Sequence, residues 1–225
     1  EVYAATVGNE LTRRGHNVFY VSDTLTKPTQ GPVFKLRFNK RSILRRFWHV
    51  FYLIYLIRKH HIQLVHAHSR ASGWSSYVAC KLTGTPMITT VHGRQPVHAS
   101  RKAFHALVYR AVAVCEDIAR QIIDNLGVDP AMVQVLRNGI ETDKFQPVPI
   151  PDNDKPVLAI IGRLSGPKGE LCYRLLDEVL DLDACQVRVV SGTRVPERFA
   201  RFQDKVDFVG YADDVPALLA QCDLV

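Results

Sequence analysis

A guanidinium and an ammonium stand five positions apart, as Arg163 and Lys168, in the phrase Ile160-Ile161-Gly162-Arg163-Leu164-Ser165-Gly166-Pro167-Lys168-Gly169-Glu170. The apolar run Val157 to Ile161 precedes the pair and the helix-like pattern Leu171 to Leu180 follows it. That order predicts a strand, a loop and a helix. In open α/β sheets ligands sit at the carboxyl ends of strands. A helix N-terminus placed there offers free amides and a dipole suited to phosphate. Arg163 can fork onto two phosphate oxygens and Lys168 can add a point charge, so a diphosphate is the matching guest. A plain strand-to-helix turn with two solvated cations fits the same spacing.

Histidines form the second group with chemistry in it. His66 and His68 sit two apart in Ile62 to Ala67 and its continuation, so on a strand they face the same way. A pair so placed could bind metal, but no third residue with ligand spacing accompanies them, and a structural role is the expectation ahead of a metal site. His92 ends the run Met87 to Val91 and is followed by Gly93. A third group is electrostatic. Lys35 to Lys59 holds eight Lys/Arg and no acid around the apolar run Val50 to Ile57. A basic, aromatic, amphipathic helix of this kind suits an anionic membrane surface, and a core helix with a solvated basic side suits it too.

The elements that must carry these residues alternate. Helix is expected at Val2 to Arg14, from Ser42 to about His60, at Ser72 to Leu82, Lys102 to Val108 and Glu116 to Leu126, the last closed by Gly127. Strands are expected at Val18 to Val21, Ile62 to Ala67, Met87 to Val91, Ala111 to Val114 and Val133 to Leu136, with Thr24 to Pro32 as loop. Such alternation means βαβ units and a parallel sheet. Four prolines between Pro147 and Pro156 make a stiff connector. The chain therefore reads as an N-terminal domain over 1–146, a linker over 147–156 and a second domain over 157–225. In the second, strands at Val157 to Ile161, Gln186 to Val190 and Val206 to Val209 alternate with helices at Leu171 to Leu180 and Val215 to Gln221.

Bulk properties narrow the class. At 225 residues and 47% hydrophobic content, the chain has enough apolar surface for one large or two modest α/β domains. Five scattered cysteines without a C-x-x-C pair argue against a disulfide framework or a zinc site and suit a reducing compartment. No run approaches the roughly 18–20 apolar residues of a membrane span. Residues 1–150 carry 20 Lys/Arg against 9 Asp/Glu, and 151–225 carry 9 against 13. Between Asp23 and Glu116 there is no acid at all. That field attracts an anionic partner. The basic residues interleave with aliphatic ones and match no nucleic-acid module, so nucleic acid is not expected.

The phrases Val65-His66-Ala67-His68-Ser69, Thr90-Val91-His92-Gly93, Asn138-Gly139-Ile140-Glu141, Gly162-Arg163-Leu164-Ser165 with Lys168-Gly169, Val206 to Gly210, and Cys222-Asp223-Leu224 occur in one order. Together they resemble glycosyltransferase family 4. The resemblance implies the GT-B fold, α/β with two Rossmann-like domains facing across a cleft. It also implies retaining transfer of a sugar from a nucleotide diphosphate donor, UDP- or GDP-linked, to an acceptor hydroxyl in polysaccharide, lipopolysaccharide or glycolipid synthesis. No cofactor or essential metal is implied. Arg163 and Lys168 match the basic pair on the donor diphosphate, and Gly162 the glycine that lets backbone approach it. His92 matches the histidine facing the transferred sugar. Gly210 and Tyr211 match the region of the nucleotide base, while His68 and Asn138 are candidates for the acceptor cleft. The family's use of lipid-linked acceptors implies a cytoplasmic protein, peripheral on the inner face of the plasma membrane.

Four departures stand against the family pattern. A glycine-rich loop before Glu1 and a glutamate pair beyond Val225 lie outside the sequence, Ser191-Gly192-Thr193 replaces a Gly-x-Gly, and Gln63 stands where an acid is common. Both domains are thus expected to be incomplete, as though cut at both ends, and the piece to be a poor or inactive catalyst. The competing readings are a non-catalytic GT-B remnant that binds membrane or a partner, and a GT-B nucleotide-sugar epimerase. A nicotinamide dehydrogenase lacks its G-x-G-x-x-G within residues 1–225.

Overall fold

The computed structural model describes residues 2–23, 25, 27–38, 43–68, 70–94, 110–149, 151–192 and 194–225. The cap expected at Ser42 and the helix expected at Lys102 to Val108 lie outside the described residues. The chain divides into two compact units, Glu1–Gly139 and Ile140–Val225, so the proline-rich stretch 147–156 falls within the second.

In the first unit, α1 (Val2–Arg13), β1 (Tyr20–Ser22), β2 (Val33–Lys35), α2 (Ile43–Lys59), β3 (Val65–Ala67), α3 (Arg70–Thr83), β4 (Met87–Val91), β5 (Arg110–Ala113), α4 (Glu116–Leu126) and β6 (Val133–Val135) follow in order. Strands β3-β4-β5-β6 form a parallel sheet in sequence order. Strand β4 is buried on nearly every residue, as a parallel strand covered on both faces must be. Helix α4 turns Ile118, Ala119, Ile122 and Leu126 inward at helical spacing. Gly127 ends it at φ 66°, its amide returning to the carbonyls of Ile122 and Ile123, a left-handed cap that glycine adopts without cost.

Strand β2 lies beyond the loop expected at Thr24 to Pro32 and has no counterpart among the expected strands. It is three residues long and exists because it pairs parallel to β1, Tyr20 opposite Val33, a long-range register that local sequence does not display. Strands β1 and β3 are also displaced or shorter than expected, being Tyr20–Ser22 and Val65–Ala67.

The second unit holds β7 (Val157–Ile161), α5 (Gly166–Arg174), β8 (Gln186–Val190), β9 (Val206–Gly210) and α6 (Val215–Leu219), with a 3-10 segment at Glu197–Phe202. Strands β7-β8-β9 are parallel. Their core gathers Leu164, Cys172, Leu176, Val187, Val189, Phe199, Phe202 and Val206. The helix expected at Leu171 to Leu180 starts earlier, at Gly166, because Pro167 is favoured in a first turn. It gives way at Leu175–Val179 to a π turn, closed by the Leu180 amide on the Leu175 carbonyl.

At the opposite edge of the sheet, Leu224 bridges Leu158 in parallel. The Asp223 carboxylate accepts the Val157 amide at 2.8 Å and the Asn153 side-chain amide at 2.9 Å. Those bonds hold its carboxyl below the usual range, the Val157 amide foremost. Asp223 therefore clamps the start of β7. Asp223→Ala is expected to lower the thermal midpoint of the second unit, read by circular dichroism. An unchanged midpoint would show the clamp to be energetically idle.

Candidate functional site

Parallel strands present their carboxyl ends along one edge, and the candidate residues of the first unit lie along that edge. His66 lies in β3, His68 immediately follows it, and His92 follows β4. The imidazoles form a row. His66 Nε2 stands 2.8 Å from Thr90 Oγ1, the His66 and His68 rings are 4.0 Å apart, and His68 Nδ1 is 3.5 Å from His92 Nε2. Tyr3 of α1 meets His68 and His92 edge-on, at 5.5 and 5.1 Å between ring centres. The same-face expectation for His66 and His68 holds, and the contact with Tyr3 was not visible in the sequence. Asn138 is exposed beyond β6, two strands from β4.

Burial depresses all three imidazoles. His66 falls to about 4, through burial first and then His92. His68 falls to about 3, through burial and then His66. His92 is lowered as well, mainly by burial. At neutral pH the row is uncharged, able to exchange hydrogen bonds with hydroxyls rather than to attract anions.

A stability consequence follows. The unfolded chain protonates these histidines near pH 6.5, while the folded state resists until about 4 and 3. The unfolded state then binds more protons, so stability falls as pH drops from about 6.5, by roughly 1.4 kcal/mol per unit for each histidine. The thermal midpoint of the first unit is expected to decline between pH 7 and about 4.5, and His66→Gln with His68→Gln to flatten the decline. An equally steep decline in the double variant would contradict this.

The loop after β4 is anchored. The Arg94 guanidinium donates to both oxygens of Asp117, at 2.8 and 2.5 Å, in the first turn of α4. The bidentate pair ties the His92-Gly93-Arg94 segment to α4, a contact that no local pattern signals.

In the second unit the carboxyl ends of β7, β8 and β9 bring the remaining candidates to one edge. Gly162 continues the β7 ladder through its amide to the Val190 carbonyl at 3.0 Å. Arg163 is exposed, and Leu164 beside it is buried. Lys168 lies in the first turn of α5, not in the loop as expected, and its Cδ would stand 3.9 Å from a Cβ on Gly162. Ser165 occupies the N-cap without a side-chain cap bond, which leaves the amides of that turn available.

Most other cations of this unit are compensated. Arg174 pairs with Glu178, Arg188 with Asp207, Arg198 with Glu170, Arg201 with Asp177 and Lys205 with Asp183. Arg163 and Lys168 have no carboxylate partner among the described residues. Two uncompensated cations beside an uncapped helix terminus have the chemistry to bind a multiply charged anion.

Gly210 takes φ 77° at the end of β9, and Tyr211 after it is 66% exposed. A Cβ on Gly192 would meet Tyr211 Cδ2 at 3.2 Å, so the ring lies close against that glycine. In the sequence Gly192 carries no signal beyond its place in the Ser191-Gly192-Thr193 departure from the family pattern. Its packing under Tyr211 gives it a place at this edge.

A family model described as Glycosyltransferase Family 4 matches residues 1–144. The chain belongs to glycosyltransferase family 4. It is 25% identical over 203 residues to the UDP-Gal:alpha-D-GlcNAc-diphosphoundecaprenol alpha-1,3-galactosyltransferase of Escherichia coli, covering 75% of this chain and 52% of that relative. The family 4 chain thus spans about half the length of that curated relative. Among solved structures it resembles a glycosyltransferase of Rickettsia africae at TM-score 0.79 and 21% identity, covering 99% of this chain and 68% of that one. It also resembles HepE of Anabaena, solved with UDP and glucose, at TM-score 0.70 and 16% identity, covering 93% and 73%. These likenesses establish the α/β, Rossmann-like architecture of GT-B glycosyltransferases for the family 4 chain.

Proposed function

We propose that this family 4 chain belongs to a retaining transferase that takes a sugar from a UDP- or GDP-linked donor. The observation that carries the reading is the uncompensated pair Arg163 and Lys168 beside the uncapped start of α5. The donor diphosphate is held by Gly162, Arg163, Lys168 and the first amides of the helix. The glycosidic bond from the sugar C1 to the acceptor oxygen forms as the bond from C1 to the diphosphate oxygen breaks. Negative charge gathers on the departing diphosphate, where the two cations stabilise it, and that phosphate takes the acceptor proton. His92 supports the transferred sugar as a neutral imidazole. Gly210 and Tyr211 flank the nucleotide base, and His68 and Asn138 face the acceptor. No essential metal takes part in this scheme.

The name of the E. coli relative, with its UDP-Gal donor and diphosphoundecaprenol acceptor, supports a lipid-linked acceptor in polysaccharide or lipopolysaccharide assembly. The solved complex of HepE with UDP and glucose supports a uridine donor. No described helix is long and apolar enough to cross a membrane. A cytoplasmic place, peripheral on an anionic membrane surface, completes the reading.

A panel of UDP-, GDP- and ADP-sugars, scored by thermal shift, tests it. A ligand at one hundred times its dissociation constant stabilises by about 2.7 kcal/mol. Stabilisation by a UDP- or GDP-sugar is expected. No shift with any of them at millimolar concentration would overturn the proposal.

A further inference from the structure

Where two neutral imidazoles meet nitrogen to nitrogen, a single hydrogen has to serve both. His68 Nδ1 stands 3.5 Å from His92 Nε2. That is long for a hydrogen bond and too short for a water to stand between. Two bare nitrogens would set lone pair against lone pair, and two N–H groups would collide. One nitrogen therefore donates and the other accepts. Both rings are uncharged at neutral pH, chiefly through burial. A neutral imidazole carries one N–H in all, so the choice made at the shared contact decides what the far nitrogen of each ring can do.

Two matched states follow. With His68 Nδ1 donating, His68 Nε2 is a bare acceptor and His92 Nδ1 carries hydrogen. With His92 Nε2 donating, His68 Nε2 carries the hydrogen and His92 Nδ1 is bare. In either state both rings are the same tautomer, and the two far nitrogens are of opposite kind.

The fold holds this contact from several directions. Strands β3 and β4 are parallel neighbours with Ala67 opposite Thr89, so His68 and His92 leave adjacent strands at the same end. Tyr3 lies edge-on against both rings. The Arg94 fork on Asp117 ties down the segment that carries His92. The hydroxyl of Thr90, itself buried, engages His66 Nε2, so that nitrogen does not compete for His68 Nδ1.

We infer that His68 is a positioning residue for His92: the contact between them makes the two imidazoles one coupled donor–acceptor pair, matched to hydroxyl groups of a sugar, which both give and take hydrogen bonds. An uncoupled His92 would exchange tautomers on its own, and a hydroxyl ligand would have to select among them. In the pair, the tautomer that His92 offers the sugar is set by His68, and the opposite polarity is left at His68 Nε2. This rests on the reading that places His92 at the transferred sugar.

The test is long-range proton–nitrogen NMR correlation of the nitrogen-labelled histidine rings, in the whole chain at neutral pH without nucleotide, with signals assigned by single substitutions. Equal tautomer fractions at His68 and His92 are expected, and unequal fractions in the wild-type chain would overturn the coupling. His68→Phe keeps a ring beside Tyr3 and removes the shared nitrogen. The His92 tautomer fraction is expected to change in that variant, and an unchanged His92 spectrum would overturn the positioning role. If His68→Phe does not fold, the wild-type fractions still decide. Because the measurement uses no nucleotide, its failure leaves the donor site standing, and a failed donor screen leaves this result standing.

Discussion

Arg163→Ala is expected to weaken binding of the proposed donor by roughly ten- to a hundredfold, and Lys168→Ala by a similar factor, each with little change in the thermal midpoint of the free protein. The size follows from the loss of charge-assisted hydrogen bonds to a diphosphate, about 1.5–3 kcal/mol apiece. The small effect on stability follows from exposure and from the absence of carboxylate partners among the described residues. Removing a paired cation such as Arg198 would instead break the contact with Glu170. Arg163→Lys restores charge without the planar fork, so it recovers only part of the loss if the arginine binds two oxygens. Isothermal titration with UDP and GDP measures both. Equal affinity in wild type and the double alanine variant would remove the diphosphate from this site.

Gly169→Ala destabilises the second unit by about 1–3 kcal/mol, the cost of forcing an atom into packed structure. A Cβ there would stand 2.4 Å from the Leu164 carbonyl carbon and 2.5 Å from its oxygen, and both belong to backbone. Neither can rotate away, so α5 must shift outward from the loop that carries Arg163. Lys168 precedes Gly169 on the same turn, and the shift moves it too. Gly169→Ala should therefore lose both thermal stability and donor affinity. Gly162→Ala is the control. Its Cβ would meet only the Lys168 side chain at 3.9 Å, an ordinary contact, so stability stays within about 0.5 kcal/mol. A loss of donor affinity at Gly162→Ala alone would then report close approach of the ligand to the backbone. Differential scanning calorimetry with nucleotide titration separates these outcomes, and a Gly169→Ala protein as stable as wild type would refute the packing argument.

Much of the local architecture was legible before any coordinates. Strands β4, β7 and β8 and helix α4 begin and end where the sequence placed them. Each is a strongly apolar or periodic run bounded by glycine, proline or a cap, so its signal is local. Elements whose signal is not local are not legible in the same way. Strand β2 depends on pairing with β1, and the start of α5 depends on Pro167 and Gly169 packing beneath Leu164.

The order of elements and the family motifs came from the residue string alone, because hydrophobic period and turn chemistry act over a few residues. Tertiary structure alone decided which cations stay uncompensated, since Arg198 and Arg163 look alike until Glu170 is folded against one of them. It also set Tyr3 against the histidine row, Tyr211 against Gly192, and Asp223 on the amide of Val157. Those contacts join residues far apart in the chain, and their partners are fixed by sheet register and helix packing rather than by neighbours in sequence.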